Sequence, residues 1–164
     1  MSEIMANQFI PVNELPVIAL SGMIGTTVMA VVMYGLAFIT DTVMPVARVL
    51  GTMITCQTTD DGGLSDSRTS VVVGVLTHYA VGITFAYFYH ILWTFGVGEP
   101  GFWNGILLGF LSGIFAVIFW FTFMAIHPFP PKIILKDYIP ALFLGHFVFA
   151  SVTVAAYAFL IGKI

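Results

Sequence analysis

Charge is the scarcest property of this chain. Five Lys plus Arg and eight Asp plus Glu make up only 8% of its 164 residues, against roughly 25% in ordinary soluble domains. A water-soluble fold of this length would need far more polar surface to cover its core. Soluble enzymes and disordered linkers are all but excluded on that ground. Nucleic-acid binders go with them, because there is no basic patch to meet phosphates. Cysteine is scarce too. Cys56 alone cannot close an internal disulfide, so the fold needs no oxidising compartment. Its thiol is expected to pack as a small, inert hydrophobe. The opening MSEIMANQFIPVNELP has no Lys or Arg and carries Glu3 and Glu14. A cleavable signal wants a positive start and a small-residue cleavage site, so the first apolar segment is expected to stay in the mature protein.

What is present is hydrocarbon. Hydrophobic residues make up 59% of the chain, and the mean hydropathy is +1.03. A bilayer core about 30 Å thick takes roughly 20 apolar helical residues, and four stretches meet that length: about 16–39, 70–95, 102–126 and 138–161. Nothing alternates as a membrane β-barrel would. The expected fold is therefore all-α, a single transmembrane domain of four helices running up and down in a bundle. One side of the membrane, side A, then holds both termini, and side B holds the other loops. Arg48, Arg68, Lys132 and Lys136 fall on side B and only Lys163 on side A. By the positive-inside rule, side B faces the cytoplasm and both termini lie outside.

The connection 41–69 is the only long one. Val43, Val46, Leu50 and Met53 recur at helical spacing after the turn residues around Pro45, with Arg48, Thr52 and Thr55 elsewhere on the wheel. That predicts a short amphipathic helix near 43–55. It would lie in the membrane interface or be tucked under the bundle. The following polar stretch, 57–69, has too little apolar surface to order itself.

Small residues mark the packing faces. Gly105, Gly109 and Gly113 form a row four residues apart on the third span, and Gly22 and Gly25 form a looser set on the first. Such rows let membrane helices approach closely, here within one bundle or, as a lesser alternative, between copies. The second and fourth spans also resemble each other, THYAVGITFAYFY against GHFVFASVTVAAY. The chain can be read as two hairpins, each a glycine-bearing helix followed by a histidine-bearing one. A repeat of that kind would be parallel, with its twofold axis along the membrane normal.

No Asp, Glu, Lys or Arg lies inside a span, which argues against transport driven by carboxylate protonation. The ionisable groups at depth are histidines. His78 and His146 each sit about eight residues into their spans from side B, about 12 Å deep at 1.5 Å per residue. Matched depth is what a bis-histidine b-haem requires. Gly74 and Gly82 beside His78, and Ala150 and Thr153 beside His146, would leave room for a porphyrin edge. A quinone or another metal site is a further possibility, and structural polar packing is the plainer one. His90 reads as an interfacial anchor and His127 as a headgroup-exposed residue. Trp93, Phe102 and Trp103 suit an aromatic belt, and Met23, Met29 and Met33 read as packing filler.

Several short motifs together look like a group of uncharacterised bacterial four-helix membrane proteins, of the domain-of-unknown-function kind. They are GMIGTTVM at 22–29, MPVARVLG at 44–51, HYAVGITFAYFY at 78–89, the glycine row and GHFVF at 145–149. The resemblance implies a four-helix bundle with histidines on its second and fourth helices, and supplies no reaction. The leading expectation is a non-enzymatic accessory or structural subunit of a larger complex in the cytoplasmic membrane. It would touch the lipid bilayer and a membrane-protein partner, and carry no cofactor. The alternative is an electron-transfer subunit binding b-haem or a quinone through His78 and His146. A small-solute channel or carrier lacks the polar stripe and broken helices that line a path.

Overall fold

The computed structural model describes residues 14–40 and 45–162. Glu3, Val43 and Lys163, which entered the expectations above, lie outside the described residues. Five helices follow one another: α1 (Leu15–Thr40), α2 (Val46–Thr55), α3 (Arg68–Thr94), α4 (Phe102–Ile126) and α5 (Leu135–Leu160). Among the described residues there is no strand, only an isolated bridge between Thr58 and Leu64. All but α2 are long and apolar enough to cross a membrane, and helices satisfy every backbone amide internally where lipid offers no partner. The chain is an integral membrane protein with an all-α fold.

Local chemistry sets the ends. Ser67 caps α3 by accepting from the Ser70 amide at 3.1 Å. α4 stops at His127, ahead of Pro128, because the residue before a proline is pushed out of helical conformation. α5 begins at Leu135 rather than near Tyr138 and carries Pro140 inside. The proline only removes the bond to the Lys136 carbonyl, at the polar end of the helix.

Each long helix is apolar all round, so hydrophobicity alone does not choose its inward face. Small residues do. Gly22 lies against Gly82 and Ala86 of α3, and Gly25 against Phe149 and Thr153 of α5; a Cβ on Gly22 would come within 2.9 Å of the Gly82 carbonyl. Gly105, Gly109 and Gly113 run along α5 against Val154, Phe147 and Phe143. The methionines Met29 and Met33 are buried and fill the space beside Gly145, whereas Met23 is exposed. α1 thus makes two close interfaces and α4 only one. The order round the bundle is α3, α1, α5, α4, and no packed interface closes the ring between α4 and α3. A twofold relating the two hairpins would pair the α1–α5 interface with α4–α3. One is packed and the other open, so the arrangement is not symmetric.

Buried hydroxyls serve their own helices. Ser21 donates to the Ile18 carbonyl and Thr26 to the Gly22 carbonyl, both at 2.8 Å. Between helices, the Thr27 and Tyr79 hydroxyls meet at 2.9 Å.

The loop region differs most from expectation. α2 is packed against the side-B end of α3. A Cβ on Gly74 would run into the Ala47 carbonyl, and one on Gly51 into the Ser70 carbonyl. Its buried face includes Val49 and Thr52 along with Val46 and Met53, because Thr52 turns inward to accept from the Ser65 amide at 2.9 Å. The polar stretch after it is held in place, not left to solvent. Leu64 is buried, Arg48 pairs with Asp66, and Lys132 donates to the Asp61 carbonyl at 2.7 Å. Cys56 is exposed rather than packed, since it caps α2 in the left-handed region with φ 52°.

Candidate functional site

The open seam between α3 and α4 contains a cavity of about 260 Å³. Its walls come from four helices. His78 of α3 and His146 of α5 both line it, Phe85, Phe115, Phe119 and Trp120 supply ring faces, and Val46, Leu50 and Ile54 of α2 close the side-B end. His78 is ten residues beyond Arg68 and His146 eleven beyond Leu135, so each lies about 15 Å along its helix. The structure brings together the two histidines singled out from sequence.

Their hydrogen bonding differs. His146 Nδ1 sits 2.9 Å from the Leu142 carbonyl, so that nitrogen carries the proton and Nε2 keeps a free lone pair. Among the described residues no hydrogen bond reaches His78, which is 8% exposed; its ring leans on Tyr79 with centroids 6.4 Å apart. Phe85 stands edge-on to His146 at 6.5 Å. The site is therefore two imidazoles with unused polar capacity, set in an aromatic lining that opens toward lipid through exposed Val81 and Phe119.

The small neighbours expected to make room for a porphyrin are taken up elsewhere. Gly74 abuts α2 at Ala47, Gly82 abuts Thr26 of α1, and Thr153 faces Gly25. Ala150 is fully buried. What remains beside the histidines is near the lower end of the roughly 300–1,000 Å³ range of small-molecule pockets. Among the described residues no group of three or more His, Cys, Asp or Glu could hold a metal ion.

Three other expectations change. His90 is not an interfacial anchor but is buried at 6% exposure. Its Nδ1 lies 3.1 Å from the Tyr157 hydroxyl, which donates to Glu14 at 2.7 Å. The cause is α3's buried stripe, Ser70, Gly74, His78, Gly82, Ala86 and His90. Spacings of four rotate about 40° per step, enough to carry His90 inward at the far end. His127 is half-buried rather than headgroup-exposed. Its Nε2 donates to the Met53 carbonyl at 2.9 Å, a second bond to an oxygen that already accepts from the Cys56 amide at the end of α2, while Nδ1 accepts from Phe129. Trp93 leaves the belt to donate to Asn104 at 2.7 Å and to lean on Tyr157 at 5.2 Å. Phe102 and Trp103 stay exposed.

The chain matches no protein family, no curated protein and no solved structure. Glu14 and Tyr157 were not legible as partners in the sequence, since they stand 143 positions apart with no charge pattern to link them.

Proposed function

We propose that the protein is a ligand-binding subunit of the cytoplasmic membrane, taking a quinone-type ring from the bilayer into the His78–His146 cavity. The observation that carries this reading is that both histidines line one aromatic cavity opening between α3 and α4. Ring walls suit a flat ring, which stacks or meets edges with aromatic side chains. A quinone carbonyl accepts from imidazole N–H, and a quinol hydroxyl donates to the free Nε2 of His146. The limited volume and the occupied glycines favour one substituted ring over a macrocycle. Nearly all of the described chain lies in or against the spanning helices, leaving little room for an electron donor of its own. That supports the accessory role, with a neighbouring membrane protein supplying electrons. Arg48, Arg68, Lys132 and Lys136 support side B as the cytoplasmic face.

The test uses Trp120, whose indole lines the cavity. A short-chain quinone added to the protein in phosphatidylcholine nanodiscs should quench fluorescence saturably, and Trp120→Phe should remove most of the quenching. His78→Gln and His146→Gln should each weaken binding by roughly tenfold, the value of one hydrogen bond of about 1.4 kcal/mol. Unsaturable quenching, or affinities unchanged in both variants, would overturn the reading. So would a reduced-minus-oxidised spectrum of a b-type haem that disappears in both variants. Orientation is checked at Cys56: a membrane-impermeant maleimide should label it only after the membrane is opened from the cytoplasmic side.

A further inference from the structure

The seam continues beyond the histidines. A second cavity, about 500 Å³, lies between α3 and α4 on the side-A half, lined by Thr84, Phe88 and Leu92 of α3 and Leu108, Leu111 and Ser112 of α4. Phe85 and Phe115 belong to both cavities, and their rings meet edge to face at 6.0 Å. The two spaces are thus one groove, partitioned by a single aromatic pair. Its polarity is graded. The first compartment holds both histidines, and the second is walled by hydrocarbon apart from the hydroxyls of Thr84, Tyr89 and Ser112. Thr84 and Ser112 give their protons to the Ala80 and Leu108 carbonyls of their own helices.

The ends of the groove are also unlike. On side B it is stopped by α2, whose backbone lies against α3 at Gly51 and Gly74 with no slack. On side A the Trp93–Asn104 hydrogen bond spans α3 to α4 above Leu92 and Leu108. Between these stops the seam is open to lipid along exposed Phe88, Leu111 and Phe115. A ring seated at His78 and His146 has α2 beneath it, so a chain attached to that ring can continue only along the groove or straight out into lipid.

We infer that the second cavity is the chain compartment of the same site, and that the ligand is a chain-bearing ring lipid held with its head toward side B and its chain toward side A. This rests on the quinone-type reading of the histidine cavity and adds the ligand's length and polarity of insertion. Phe85 and Phe115 bend the chain where it leaves the head compartment. Burial of a chain gains little over bilayer hydrocarbon, because lipid tails are as apolar as the groove. The compartment therefore fixes where the chain lies rather than how tightly the head binds.

The experiment is accordingly one of position. A quinone with two prenyl units and a diazirine at the chain end is irradiated with the full chain in nanodiscs, and the adducts are mapped by mass spectrometry. Adducts should fall on Thr84–Leu92 and Leu108–Ser112, and excess unlabelled quinone should compete them away. Leu111→Phe, at a lipid-exposed position that tolerates a larger ring, should cut chain-end labelling at least fivefold while leaving Trp120 quenching by a chainless quinone within twofold. Competable labelling confined to α2 residues, or to lipid alone, would overturn the chain assignment while the histidine reading stood. Labelling that neither competition nor His78→Gln plus His146→Gln diminishes would instead sink the histidine reading, and the inference with it.

Discussion

Gly74 has no room for a side chain. A Cβ there would meet the Ala47 carbonyl and the Gly51 amide, backbone atoms that cannot swing aside. Gly74→Ala is therefore expected to lower stability by about 1–3 kcal/mol, as overpacking does, seen as a lower Tm in detergent. Gly35→Ala is the control: nothing lies within 4 Å of its Cβ position. There the better helix propensity of Ala, worth up to about 1 kcal/mol, should leave Tm unchanged or slightly raised. Asp61 supplies the pH dependence at this scale. The Thr59 hydroxyl, and after it the Gly63 amide, hold its carboxyl below the usual 3.8, with Lys132 adding the weakest pull. The charged form is the one favoured in the fold. Its contribution is present above the ordinary carboxylate value and is lost as pH falls through the lowered one. An infrared or NMR titration should place the midpoint below 3.8, and Thr59→Ala should move it back up. A midpoint that Thr59→Ala leaves unmoved would contradict the assigned cause.

At the scale of elements, the spanning helices were legible because length and apolarity alone specify them. The boundary of α4 agrees with the sequence reading to the residue, and the others shift by one to three positions. α2 was harder to place. Its sequence gathers apolar residues on one helical face, a pattern shared by a helix at a lipid surface and one under a bundle. Only Gly51 and Gly74, lying on different helices, tell the two apart, and their pairing is not written in either segment. The polar stretch after α2 was misjudged for a related reason. Leu64 is a single apolar residue, but the hydrogen bonds that anchor its flanks, from the Ser65 amide to Thr52 and from Lys132 to the Asp61 carbonyl, involve other parts of the chain. Ser67 reaches both ends of this stretch, accepting from Ser70 and donating to Gln57 at 2.7 Å. Ser67→Ala should cost about 1 kcal/mol through the lost cap. Faster amide exchange should then be confined to the first turn of α3 and the preceding loop.

For the whole molecule, the sequence showed two histidines at one depth but not that they share a cavity. That depends on which helix pairs pack, and the glycine counts hold the answer in retrospect. α1 offers small residues to two neighbours and α4 to one, so the ring of helices is left open at α3–α4. Spin labels at lipid-facing Leu76 and Ile118, across the seam, should give a broader distance distribution than labels at Ile118 and Leu144, across a packed interface. Quinone addition should narrow the first and leave the second unchanged. Equal widths would mean that the seam is as rigid as the rest.

The self-contained hydroxyls of α1 bear on how the chain is made. Ribosomes deliver helices to the membrane in order, and α1 must wait for α3 and then for α5, the last of the described helices, before its neighbours exist. Ser21 and Thr26, buried in the finished bundle, already give their protons to Ile18 and Gly22 of the same helix. The newborn segment can stand alone in lipid with both hydroxyls partnered, and each later helix docks on it without first having to free them.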